Sequence, residues 1–289
     1  MKMKYITFLF LLTVAYSTVA KTVITFATGA PGDPTDLYEY KVLKLALDKT
    51  IDTHGNYRLD IRPGSVLPTF TRLRMEAENN EYKNLVYKDS VSNEIMESLK
   101  GIEFPVELGA IGYRLGLISK ESKAKIRQIN TKQQATNLTM IQGRGWLDGD
   151  ILKSQGFNVV FGRNIEGLFY MAANNRADMF PVGSSELKSA WDQFKYVEGL
   201  DYDREICIYY PLPKFFFTHP SNLPAANRIQ SGLVAAYESG ELFDLWKSFY
   251  AEKMAFANLK DRKIFKYKNP MISQIDDSYE QYILDPKLL

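Results

Sequence analysis

The stretch QGRGWLDGDILKSQGF, residues 142–157, gathers four glycines, an arginine, a tryptophan and two aspartates. Such a glycine density beside a cation suggests a phosphate cradle. A P-loop, however, requires GxxxxGK[ST], and GRGWLDG supplies neither the lysine nor the hydroxyl. A dinucleotide turn requires GxGxxG, and Gly143, Gly145 and Gly149 miss its last position by one. What remains is a strand, then glycines, then a helix start. That order leaves backbone N–H groups unpaired at the carboxyl end of a strand, where open α/β sheets bind their ligands. Arg144 adds a forked cation and Trp146 a flat apolar face, so Gly143, Arg144, Gly145 and Trp146 together suit an anion carried on a planar group. The alternative is structural: Trp146 a core residue, Arg144 a surface ion-pair partner, and Asp148 and Asp150 favouring a helix N-terminus.

Three further positions have comparable chemistry. Ser184 stands with Ser185 at a second strand-to-helix junction, where hydroxyls either meet ligand oxygens or cap the helix. Arg74, in RLRMEAENN, and Arg114, in GAIGYRLGLIS, each offer a fork for a carboxylate, or else pair with a carboxylate of the chain. Tyr38 and Tyr40 open a helix and either stack on a ligand or pack. Catalytic signatures are sparse. His54 and His219 are isolated, Cys207 is the single cysteine, and no G-x-S-x-G elbow occurs. No cofactor and no metal is called for.

The elements that must position these residues alternate. In the middle of the chain, Asn137–Ile141 reads as a strand, Leu147–Gln155 as a helix and Asn158–Phe161 as a strand. Ile165, Leu168, Phe169 and Ala172 then mark a helix capped by Asn164, and Asp178–Val182 a strand. Leu187, Ala190, Trp191 and Phe194 mark another helix, before the strand Ile206–Tyr210. Strands separated by helices of this size predict parallel pairing through right-handed crossovers, hence an α/β fold. The first hundred residues repeat the pattern, with strands at Thr22–Thr28, Tyr57–Ile61 and Asn84–Tyr87 and helices at Asp36–Lys49 and Thr69–Asn79. Leu223 to Tyr237 and Leu242 to Phe249 form two late helices. KDRKIFKYKNP, near the end, reads as a mildly basic solvated surface. GAIGYRLGLIS (109–119) and IYYPLPKFFFTHP (208–220) are extended apolar runs that read as crossings between two lobes. One lobe is then built from residues 21–112 and 214–289, with the other, 113–213, inserted into it.

Residues 1–20 read as a secretory signal peptide: MKMK, the apolar run YITFLFLLTVAY, and STVA before Lys21. With no cysteine at the cleavage point to carry a lipid, a freely soluble periplasmic protein is expected. Removing Lys2 and Lys4 from the 36 basic side chains leaves 34, against 34 acidic ones. A neutral chain with no basic block argues against nucleic acid as a partner and against an anionic membrane surface. A monomer is expected.

Stretches such as PVELGAIGYRLGLI, GRGWLDGDILKSQGFNVVFGRNIEGLFYMAANNRADMFPVG and YYPLPKFFF carry a resemblance to bacterial extracellular solute-binding proteins of family 3, the amino-acid receptors of ABC transporters with the type II periplasmic-binding fold. The resemblance spans essentially the whole mature chain. It implies two lobes joined by two crossing strands that close on a small polar solute, amino-acid-like or an organic acid. The closed form would be presented to a membrane transporter permease or a sensor. Some relatives with this fold are dehydratases, so the resemblance also admits a secreted enzyme acting on a small carboxylic acid. In the family's amino-acid receptors an arginine after a Thr-x-x motif grips the ligand carboxylate and an aspartate of the second lobe holds the ammonium. In SVSNEIMESL (90–99) Ile95 stands at the arginine position, and in ADMFPVGSSE Gly183 stands at the aspartate position. Both usual anchors are missing, and a ligand other than a conventional α-amino acid is expected.

Overall fold

The β-branched and aromatic runs of the N-terminal third pair as the alternation predicts. The computed structural model describes residues 21–64 and 66–285, and the signal-peptide reading of residues 1–20 lies outside them. The chain begins β1 (Thr22–Ala27), α1 (Tyr38–Asp48), α2 (Ile51–His54), β2 (Tyr57–Ile61), α3 (Phe70–Glu78), β3 (Leu85–Ser90), α4 (Asn93–Ser98) and β4 (Lys100–Ile102). It continues with β5 (Tyr113–Ser119), α5 (Ser122–Arg127), α6 (Lys132–Thr136), β6 (Thr139–Gly143), α7 (Leu147–Ser154), β7 (Asn158–Gly162), α8 (Ile165–Ala173) and β8 (Phe180–Gly183). The last third holds α9 (Leu187–Phe194), β9 (Leu200–Tyr202), β10 (Ile206–Tyr209), β11 (Lys214–Thr218), α10 (Leu223–Glu238), α11 (Glu241–Ala257) and β12 (Lys263–Lys266).

One sheet has the order β2-β1-β3-β11-β4, parallel where β1 meets β2 and β3, antiparallel where β11 enters. The other has the order β12-β10-β5-β8, with β9 also on β5. β6 and β7 form a separate parallel pair that touches β8's approach through a bridge between Met140 and Met179. Parallel pairing was expected throughout the middle block, yet β5 runs antiparallel to both β8 and β10. The reason is topological: β5 and β10 enter and leave this sheet as the two crossings, so they run in opposite directions.

The two crossings do not exhaust the connections. α11 packs on α1 and α10 of the first lobe and on α9 of the second, with Lys188 reaching Glu252 at 3.2 Å. From its end the chain continues into β12, which pairs in parallel with β10 rather than staying with the first sheet. KDRKIFKYKNP is therefore structural rather than only solvated. Arg262 is buried, donates to the Ala257 carbonyl and lies 3.4 Å from buried Asp203, and Tyr267 packs with Phe157. Residues 270–285 then return to the first lobe, where Tyr279 meets Phe215 and the Leu284 N–H bonds the Leu108 carbonyl.

Helices α1 and α10 cross where Gly232 faces Ala46, so closely that a Cβ at 232 would stand 1.9 Å from the Ala46 carbonyl oxygen. Gly232→Ala must push two backbones apart and is expected to cost about 1–3 kcal/mol. A lowered urea midpoint at unchanged slope would show it.

Candidate functional site

Between the lobes lie two adjoining cavities of about 300 and 480 Å³, and four residues line both: Ser90 and Lys214 from the first lobe, Trp146 and Asp148 from the second. Ser90 ends β3 and Lys214 opens the antiparallel β11 beside it, so strand ends rather than long loops supply this wall. On the facing wall β6 ends at Gly143, Gly145 turns the chain at φ +81°, and α7 starts at Leu147. Asp148 and Asp150 thereby fall in the first turn of α7, where the helix dipole favours carboxylates.

Arg114, on the wholly buried β5, lies under the smaller cavity with 5% exposure. Its Nη2 is 2.7 Å from the Asp148 carboxylate, its Nη1 3.9 Å from Glu186, and its guanidinium sits over the Tyr210 ring. The Tyr210 hydroxyl donates to the same Asp148 oxygen. Burial opposes the charge on Arg114, but Asp148, Tyr210 and Glu186 outweigh it and hold the guanidinium firmly protonated. The Nε of Arg114 has no hydrogen-bond partner among the described residues. Beside it Gln142, 1% exposed on β6, lines the same cavity with neither its amide nitrogen nor its oxygen bonded. Buried polar atoms are almost always paired, so Arg114 and Gln142 are exceptions, and both line the same cavity. The rest of that wall is mainly apolar, with Trp146 6.3 Å from Phe180 and Phe169 edge-on to Phe180 at 5.3 Å.

The sequence-derived residues separate into three groups. Arg114 and Trp146 come together at the smaller cavity, and Arg74, Gly145 and Trp146 line the larger one. Gly143 and Gly183 line neither but shape the wall. A Cβ at 143 would strike the Trp146 indole at 2.4 Å, and the Gly183 N–H donates to Glu186 at 2.9 Å. Arg144 and Ser184 depart from expectation. Arg144 is exposed and lines neither cavity, because the chain turns at Gly145 between it and Trp146. Ser184 neither caps α9 nor reaches the cleft: fully buried, its hydroxyl donates to the Ala110 carbonyl at 2.8 Å. Arg74 is also committed, to Glu78 at 2.9 Å and Glu94 at 3.0 Å. The expected Asn164 cap is present, accepting from the Gly167 N–H.

Solved structures were compared with this architecture. The YckB protein of Bacillus subtilis matches at TM-score 0.56 and 15% identity, covering 86% of this chain and 96% of its own. A periplasmic His/Glu/Gln/Arg/opine family-binding protein of Silicibacter pomeroyi, in complex with lysine, matches at 0.56 and 9%, covering 80% and 98%. The chain has the type II periplasmic-binding-protein fold. A Salmonella typhimurium periplasmic binding protein described for high arginine specificity shares this fold at TM-score 0.54 and 11% identity, covering 79% and 99%. No protein-family model matches the sequence, and no curated protein does.

Ile95, at the position where an arginine was sought, is buried in α4 against the core of the first lobe. Three residues beyond Gly183, Glu186 turns back so that its carboxylate accepts the Gly183 N–H and faces the cavity. Gln142, Asp148, Glu186, Phe169, Phe180, Ser90 and Lys214 were missed as site residues. Gln142 alone left a signal, a polar side chain ending the apolar strand TMIQG just before the glycines.

Proposed function

We propose that the protein is a periplasmic solute-binding protein whose lobes close on a small polar solute and present it to a membrane transporter or sensor. What carries the reading is the pairing of an interlobe cavity with buried, unpartnered polar atoms at its wall, Gln142 Nε2 and Oε1 and Arg114 Nε. A solute that pairs any of these second-lobe atoms and also reaches Ser90 or Lys214 of the first lobe adds contacts in the closed form that the open form lacks, which is the differential affinity closure requires. No helix among the described residues is long and apolar enough to cross a membrane. The fold neighbours named for the periplasm or for amino-acid transport support the same role.

Thermal denaturation of the purified protein against amino acids, organic acids, amines and small peptides tests it. A true solute at a hundredfold excess over its Kd should add about 2.7 kcal/mol of apparent stability and be recovered unchanged. Gln142→Leu removes two unpaired polar atoms at similar volume, so the free protein should be as stable as wild type or more stable by about 1 kcal/mol. The solute's stabilisation should shrink at the same time. Full stabilisation in Gln142→Leu, or no response to any of the panel, would overturn the reading.

A further inference from the structure

The cleft's charges are already paired in a way that selects among solutes. Four basic side chains reach the two cavities among the described residues, and each faces a carboxylate of the chain. Arg114 meets Asp148 at 2.7 Å, Arg74 meets Glu78 and Glu94, Lys88 meets Glu107 at 2.6 Å and Glu39 at 3.3 Å, and Lys214 lies 3.9 Å from Glu107. A solute carboxylate entering here would have to displace a partner of Arg74, Arg114 or Lys88, compete with Glu107 for Lys214, or rest on the single unpaired Arg114 Nε beside Asp148. The acidic side is less committed. Glu186 accepts one backbone N–H, and the one cation within ion-pair distance among the described residues, Arg114 at 3.9 Å, is bound more closely by Asp148. Asp150, exposed at the larger cavity, has no cation within ion-pair distance among the described residues.

We infer, on the footing of the solute-binding reading above, that the cleft takes an organic ammonium with an apolar body and no carboxylate. Glu186 supplies the counter-charge at the smaller cavity. The buried Gln142 oxygen supplies a second acceptor that no described residue occupies, and the unpaired donors Gln142 Nε2 and Arg114 Nε are left to the π-face of an aromatic solute body, a weak acceptor. Trp146, Phe169 and Phe180 line this cavity and supply aromatic and apolar surface for the cation and the solute's body. A carboxylate on the solute would bring a second negative charge beside Glu186 in the same partly desolvated space, where like charges disfavour one another strongly.

Phenethylamine, phenylalanine and phenylacetate share one apolar body and differ only in charge, so titration calorimetry with the three decides the class. Phenethylamine should bind, and the other two should bind at least tenfold more weakly. Glu186→Gln can still accept the Gly183 N–H and keep the fold, but should weaken phenethylamine about ten- to a hundredfold, the loss expected for a charge-assisted hydrogen bond. Glu121→Gln, a surface carboxylate far from the cleft, should leave it unchanged. Tighter binding of phenylalanine or phenylacetate, unaltered phenethylamine affinity in Glu186→Gln, or no phenethylamine binding at millimolar concentration would each overturn the assignment. If an acid or peptide of the wider panel stabilises the protein while phenethylamine does not, the ammonium class falls and solute binding stands.

Discussion

Glu107→Gln is expected to destabilise the protein by about 3–5 kcal/mol, the usual cost of leaving a buried charge without its partner. Glu107 lies just before the first crossing between the lobes, 5% exposed, and receives the ammonium of Lys88 from β3 at 2.6 Å while Lys214 of β11 stands 3.9 Å away. It thus ties the crossing to two strands of the first sheet directly behind the cleft. Glutamine removes the charge and leaves Lys88, largely but not wholly buried, with Glu39 at 3.3 Å as its one ion pair among the described residues. Urea unfolding of wild type and variant at neutral pH measures the loss; a difference below about 1 kcal/mol would show that Glu39 alone satisfies Lys88.

The same group gives the protein part of its acid sensitivity. Burial works to raise the Glu107 carboxyl, but Lys214 and Lys88 overcome it and hold its pKa at about 2, below the 4.5 of a free glutamate. Because the folded value is the lower one, its contribution is complete above about pH 4.5 and is lost as pH falls towards 2. Asp89, in the same wall, acts in the opposite sense: burial raises its carboxyl, so its protonation in acid relieves a cost. The difference between wild-type and Glu107→Gln stability curves isolates the first effect. That difference should narrow as pH falls from 4.5 to 2.

Much of this architecture was legible because apolar periodicity is a local signal. The i, i+3, i+4, i+7 spacing that marks α8 and the spacing that marks α9 survive in the fold as Leu168, Phe169 and Ala172, and as Leu187 and Phe194, all buried. β12 was illegible for the converse reason. It is a four-residue edge strand whose outer positions are exposed lysines, and its pairing with β10 joins residues some 57 positions apart, as Ile206 to Lys263 shows. Solvation was read correctly from Lys263 and Lys266 and wrongly extended to Arg262, whose partner Asp203 is 59 residues away. The site divides along the same line. Trp146 and Arg114 stood out by type and Gln142 left only its place before the glycines, whereas Glu186 is set at the cavity by a hydrogen bond to Gly183. Ser184 shows the cost of reading a junction residue from its type: the hydroxyl that suits a cap or a ligand is spent on a carbonyl 74 residues earlier.

Asp148→Asn should separate the two jobs of the cleft, because Asp148 both neutralises Arg114 and leaves Glu186 available. The aspartate takes the Arg114 guanidinium at 2.7 Å and the Tyr210 hydroxyl, all within the wall between β5 and α7. Asparagine keeps one acceptor and loses the charge, so Arg114, 5% exposed, must either remain unneutralised or draw Glu186 in from 3.9 Å. In the first case the variant loses about 3–5 kcal/mol of stability, since a stranded buried charge is the costly outcome. In the second the stability loss falls to about 1 kcal/mol, and ammonium affinity falls instead, because Glu186 now serves Arg114. Pairing Asp148→Asn with Glu186→Gln in a double-mutant cycle distinguishes them. Strong coupling in stability with no further loss of phenethylamine binding means that Glu186 has moved to the arginine. Additive stability effects mean that it has stayed facing the cavity, held by the Gly183 N–H, with Arg114 carrying its charge alone.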